Sequence, residues 1–131
     1  MDMGLQDKVA IITGGSYGIG KAAALSMARE GARVILVARR PDVLDEACQD
    51  IKTATEGIAI PVVGDVSDHD AADRVVKAAL DNFGRVDILV NNAGVLSRGT
   101  LEDTTVEEWD RVMDINDKGV FLGTKAAIPD V

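Results

Sequence analysis

The sequence predicts an α/β fold built on a parallel sheet. Three observations carry this. Short apolar runs recur along the chain, helix-favouring stretches separate them, and glycines or capping residues mark the junctions. Strands that alternate with helices form parallel sheets with right-handed crossovers, and these rules lead to a strand order of 3-2-1-4. That order puts a switch point between strands 1 and 4, where ligands bind beyond the carboxyl ends of the strands.

The first strand is VAIIT, Val9 to Thr13, an apolar run ending at glycines, as a strand buried on both faces should look. From about Gly18 the chain becomes Ala-rich (KAAALSMARE), which favours a helix that Gly31 stops. RVILVA, residues 33–38, is a second buried strand, and Pro41 suits the first helical position of PDVLDEACQDIKTA. IAIPVV, residues 58–63, is a third strand; Pro61 cannot donate to a ladder, which places this strand at an edge. Ser67 opens the next helix with Asp70 three residues on, and Gly84 closes it. VDILV, residues 86–90, is the fourth strand and expects a neighbour on each side. Thr105 and Glu108 form a capping box for a last helix running to about Ile128, before Pro129.

At 131 residues the chain is one domain by length, and 47% hydrophobic residues fit a buried core. A net charge of −8 argues against a nucleic-acid groove or an anionic membrane surface as partner. No apolar run approaches the ~20 residues of a membrane span, and MDMGLQDKV lacks the apolar region of a signal peptide. The lone Cys48 cannot form an intrachain disulfide, which points to a reducing, cytoplasmic setting. Leu44, Ala47 and Ile51 share its helical face, so it reads as a buried structural thiol. His69, between Asp68 and Asp70, reads as solvated, since no second histidine exists to complete a metal ligand set.

The stretch GGSYGIGK, residues 14–21, admits three readings. Gly15 to Lys21 nearly spells the Walker pattern G-x-x-x-x-G-K, but that loop needs Ser or Thr next to hold magnesium, and Ala22 stands there. It also wants an Asp at the end of a hydrophobic strand, whereas VDILV is followed by Asn91. Tyr17 and Lys21 have the Y-x-x-x-K spacing of an acid/base pair. Two glycines between them place the segment in a turn rather than a settled helix, and Tyr17 is expected to cover a phosphate loop. The third reading is a dinucleotide loop. Glycines let the chain turn sharply and bring amides close to a pyrophosphate, and the following helix adds positive potential. A glycine cluster alone is weak; its place between a buried strand and an Ala-rich helix strengthens it.

These residues resemble a known family, the short-chain dehydrogenases/reductases. Its T-G-x-x-x-G-I-G pattern stands here as Thr13-Gly14-Gly15-Ser16-Tyr17-Gly18-Ile19-Gly20, and its N-N-A-G as Asn91-Asn92-Ala93-Gly94. Asp65-Val66 follows the third strand, and Asn116 in DINDKGVF matches the family's helix asparagine. The resemblance covers essentially the whole chain. It implies a Rossmann-type doubly wound parallel sheet, and hydride transfer between a nicotinamide cofactor and an alcohol or carbonyl substrate. It implies roles as well: Gly14, Ser16, Gly18, Ile19 and Gly20 at the phosphates, with Tyr17 over the loop. Asp65 and Val66 would lie at adenine, Asn91, Asn92, Ala93 and Gly94 near the ribose and nicotinamide, and Asn116 would belong to the catalytic set. The plainer alternatives are that N-N-A-G is only a turn and Asn116 only a polar helix residue.

Cofactor choice follows from residues alone. NAD-binding units place an acid about 20 residues past the glycines, on the ribose 2′-hydroxyl. Here that count from Gly18 reaches Ala38, followed by Arg39 and Arg40, so a guanidinium is available for a 2′-phosphate. This favours NADP over NAD; the alternative is two solvated arginines before a helix.

The family's serine and Tyr-x-x-x-Lys pair come after the region matched here, and with Tyr17 assigned to the loop no tyrosine is left for proton transfer. Of the catalytic set only Asn116 is expected, and the sheet is expected to stop before a fifth strand. The fourth strand would then be an open edge, and Val106, Trp109, Met113 and Val120 would lack partners. A homo-oligomer, or association with a missing C-terminal portion, is expected. Two functions remain open: the cofactor-binding half of an NADP-dependent oxidoreductase, or a non-catalytic dinucleotide-binding module or degenerate fragment.

Overall fold

A computed structural model describes residues 2–95 and 99–130. Four parallel strands form one sheet: β1 (Val9–Thr13), β2 (Arg33–Ala38), β3 (Ala59–Val63) and β4 (Ile88–Val90), in the order β3-β2-β1-β4. The order agrees with the crossover argument. Ile11 is level with both Ile35 and Leu89, so the centre of the sheet is a continuous apolar band.

Because side chains alternate along a strand, the two central strands feed two cores. Ala10, Ile12, Val34 and Leu36 point to one face, where α1 (Gly18–Arg29) and α2 (Pro41–Thr55) bring Ala24, Ala28, Leu44, Ala47 and Ile51. Val9, Ile11, Ile35 and Val37 point to the other, against Val75, Val76 and Ala79 of α3 (His69–Phe83). Ile11, Ile12, Ile35 and Leu36 are essentially fully buried, each worth ~1.5–3 kcal/mol. Truncating one of them to alanine would cost about 2–5 kcal/mol. Helices on both faces make the sheet doubly wound. Cys48 lies in the first core, and burial pushes its thiol up to about 11. Pro61 sits opposite Leu36 in β3, which among the described residues pairs with β2 alone, as an edge strand carrying proline should.

Two boundaries differ from the sequence expectation. The fourth strand starts at Ile88 rather than Val86, because the Asp87 carboxylate accepts the Val9 N–H (2.8 Å) in place of a ladder carbonyl. The helix expected to open at Ser67 opens at His69, with Asp68 capping the Asp70 N–H (3.1 Å). Ser67 is committed elsewhere: its hydroxyl and its N–H both donate to Asp65 Oδ1. Gly84 closes that helix at φ 74°, as read.

The last helix is not continuous. Thr105 caps α4 (Val106–Met113) by accepting the Glu108 N–H (3.1 Å). A π-helical turn, Asp114–Lys118, then widens the backbone before α5 (Gly119–Ala127) and a final 3-10 turn, Ile128–Asp130. Such widened turns usually serve a site, and this one carries Asn116. Val106, Trp109 and Val120 are exposed, together with Leu101 and Phe121. Among the described residues β4 pairs only with β1, so its far edge is open.

Candidate nucleotide site

The carboxyl ends of β1 and β4 are tied together by one hydroxyl. Thr13, the last residue of β1, donates from Oγ1 to the Val90 carbonyl (3.3 Å) and accepts the N–H groups of Asn92 and Ala93 (3.0 Å each). Asn92 returns the contact, its side-chain amide donating to the Gly14 carbonyl (3.1 Å). The two loops approach so closely that a Cβ on Gly14 would lie 2.9 Å from Ala93 Cα, and Gly14 holds φ 66° besides. Gly20 packs beneath, where a Cβ would come within 2.5 Å of both Asn92 Nδ2 and the Gly14 carbonyl.

Above these ends lies an open groove of about 340 Å³. Gly14, Ser16, Tyr17, Gly18 and Ile19 line one wall. Arg39, Asp65 and Val66 line a second part, and Ala93 and Gly94 a third. Ser16 is buried, while Tyr17 and Ile19 stand on the exposed rim. Three residues singled out in the sequence lie beside the groove rather than in its wall. Gly20 is under the loop, Asn91 donates to Thr124 Oγ1 of α5 (3.1 Å), and Asn116 is bonded to the Val95 backbone.

The start of α1 is bare. Tyr17 occupies the cap position with no side-chain cap bond, and no acidic residue stands in the first turn. The first N–H groups of a helix lack intrahelical partners, so this end presents unpaired donors and positive potential to the groove. By contrast α3 and α4 are capped by Asp68 and Thr105. An end left open in this way, beside glycines and a guanidinium, fits a pyrophosphate.

Gly18 to Lys21 belong to the first turn of α1, so the two glycines do not keep that segment out of the helix as the sequence suggested. The Tyr17–Lys21 pairing fails for another reason. Lys21 reaches α2, where its ammonium meets Asp50 at 2.7 Å.

Asp65 faces the groove with its charge secured. Burial pushes the carboxyl up, but the two hydrogen bonds from Ser67 and the charge of Arg39 outweigh this and hold it below its ordinary value. The sequence left unread both the Thr13 tie and the bond from Asn92 to Gly14, having placed Asn92 only near the ribose and nicotinamide. A signal existed for Thr13, as the one hydroxyl at the end of an otherwise apolar buried strand. Asn92 had none, since its partner is far away in the chain. Among the described residues no group of acidic, histidine or cysteine side chains could hold a metal, and no helix is long and apolar enough to cross a membrane.

Comparison with known proteins agrees with this geometry. A family model described as short chain dehydrogenase matches residues 8–131. An uncharacterized oxidoreductase of Listeria monocytogenes is 41% identical over 127 residues, which are 97% of this chain and 51% of the relative. A 3-oxoacyl-(acyl-carrier-protein) reductase of Synechocystis is 41% identical over 122 residues, 93% of this chain and 49% of the relative. Among solved structures, the L-sorbose reductase of Gluconobacter frateurii, complexed with NADPH and L-sorbose, matches with a TM-score of 0.93 at 39% identity, covering 98% of this chain and 49% of that one. The chain spans about half the length of the curated relatives it matches.

Proposed function

The chain belongs to the short-chain dehydrogenase family, and from that premise we propose that residues 1–131 form the cofactor-binding half of an NADP-dependent oxidoreductase. The observation that carries the reading is the uncapped, acid-free start of α1, opening on a glycine-lined groove with Arg39 across it. Gly14, Ser16, Gly18, Ile19 and the α1 amides would hold the pyrophosphate, with Tyr17 over them and Gly20 giving the room beneath. Asp65 and Val66 would meet adenine, and Arg39 the 2′-phosphate that distinguishes NADP from NAD. Ala93 and Gly94, backed by Asn91, would border the ribose and nicotinamide. NADP(H), when bound, supplies or accepts the hydride exchanged with an alcohol or carbonyl substrate. Cys48 has no second cysteine to pair with, which fits a cytoplasmic setting. Titration with NADPH and NADH, read by nicotinamide fluorescence, should show NADPH binding at least ~10-fold tighter. Equal affinities would remove the assignment to NADP, and failure to bind either would remove the site.

A second reading concerns turnover. The chain has one tyrosine, and Tyr17 stands on the exposed rim of the groove at the cap position of α1, over the expected phosphates. The 131 residues therefore bind the cofactor without reducing a carbonyl, and catalysis needs residues beyond them. Steady NADPH oxidation by the purified chain that disappears with Gly14→Val would overturn this. The open edge of β4 and the exposed Trp109 and Phe121 support self-association or pairing with a complementary portion. A monodisperse monomer in light scattering would count against it.

A further inference from the structure

The two arginines that follow β2 act on different carboxylates. Arg39 is the one whose charge acts on Asp65, across the groove. Arg40 instead turns to Asp42, its Nη2 3.4 Å from Asp42 Oδ2. Arg40 is also the cap residue of α2 and makes no side-chain cap bond, while Asp42 sits in that helix's first turn behind Pro41. The N–H of Val43 draws on the same carboxylate, and with Arg40 it holds the Asp42 carboxyl below its ordinary value. Both Arg40 and Val43 line the groove. The start of α2 thus has a built-in anion where the start of α1 has none.

We propose that Asp42 is a specificity-determining residue, an internal anion that competes with a ribose 2′-phosphate for Arg40 and the start of α2. The proposal rests on the reading of the groove as an NADP site. A 2′-phosphate beside Arg39 would have to share Arg40 with Asp42 and sit near its negative charge. NAD carries no group that competes. Asp42 therefore sets how strongly NADP is preferred, and holds that preference below what two free arginines would give. The Arg40–Asp42 pair is mostly exposed, at 74% and 72%, so it is a weak and displaceable clamp. The expected effect is correspondingly modest.

The test is a set of titrations on the 131-residue chain. Asp42→Asn should bind NADP ~3–10-fold tighter, with NAD unchanged within about twofold, and high salt should shrink the gain. Arg40→Ala should cost more NADP affinity in the Asp42→Asn protein than in the wild type, since only there is the guanidinium free. Asp42→Ser, which keeps a helix-start acceptor without the charge, should behave as Asp42→Asn does and guards against a folding defect. An unchanged NADP affinity, or an equal gain for NAD, overturns the proposal. If the wild type prefers NAD, the NADP assignment falls, and the adenosine end is then probed alone with adenosine 2′,5′-bisphosphate and AMP. A gain confined to the bisphosphate in Asp42→Asn upholds the role of Asp42, and no gain removes it.

Discussion

Asn116 and Val95 are joined by two hydrogen bonds of 2.8 Å, one in each direction. The side-chain carbonyl accepts the Val95 N–H and the side-chain amide donates to the Val95 carbonyl. A single asparagine thus does for Val95 what a neighbouring strand would do, and it closes the loop that begins at Asn91. The π turn over Asp114–Lys118 carries the residue that makes this contact. Both polar atoms of the Asn116 side chain are engaged with the Val95 backbone, so Asn116 holds this loop in place.

Asn116→Ala should therefore destabilise the chain by about 1–3 kcal/mol, the cost of leaving a partly buried N–H and C=O without partners. Amide exchange should speed up at Ala93, Gly94 and Val95 more than in β1. Protection of those amides at the wild-type level would show that Asn116 does not hold the loop.

Thr13 ties the same loop to β1. Thr13→Val keeps the shape and removes the hydroxyl that accepts the Asn92 and Ala93 N–H groups. Two donors lose one acceptor, so a loss of roughly 2–4 kcal/mol is expected, with Thr13→Ser close to wild type. Urea denaturation measures this directly. A Thr13→Val protein as stable as the wild type would mean that water or relaxation satisfies both amides.

Much of this architecture was legible in the residues. VAIIT and RVILVA read as doubly buried strands because nearly every side chain in them is apolar, and in the fold each serves a core on both faces. The groove was legible too, since glycines and an uncapped helix start are local signals. Two of the features that escaped the sequence depend on partners distant in the chain, and a third on a competition between neighbours. Asp87 delays the start of β4 by reaching Val9, and nothing near Asp87 announces it. Asn116 takes Val95 within a widened turn, while 3.6-residue periodicity assumes an unbroken helix. Ser67 and Asp68 are equally good caps by type, and only the claim of Asp65 on Ser67 decides between them.

Acid should loosen the fold through Asp65 and Asp87. Both carboxyls titrate below their ordinary value in the folded chain, Asp65 through Ser67 and Arg39 against burial, Asp87 chiefly through Arg85 and the Val9 N–H. A carboxyl depressed in the folded state contributes stability present above its unfolded value of about 3.9, and that stability is lost as pH falls through the folded value. The melting temperature should hold above pH 5 and fall below pH 4. Asp65→Asn and Asp87→Asn should each start lower at neutral pH and fall less. Parallel curves for wild type and both variants would place the acid sensitivity elsewhere.

Arg39 is the sharpest test of the cofactor assignment. It lines the groove and its charge already acts on Asp65, so it faces the region where an adenosine ribose would lie. If it meets the 2′-phosphate, the charge-assisted bond is worth ~1.5–3 kcal/mol, and Arg39→Ala should weaken NADP ~10–150-fold. NAD should change far less, since it lacks that phosphate. Ala38→Asp with Arg39 retained should shift preference toward NAD, because a carboxylate there accepts a 2′-hydroxyl and repels a phosphate. Salt should narrow the difference between the cofactors, as the groove is open and exposed charges are screened. Paired NADP and NAD titrations on wild type and Arg39→Ala decide the matter. Equal losses for both cofactors would mean that Arg39 supports the fold of the loop rather than the phosphate, and preference would then have to come from another residue of the groove.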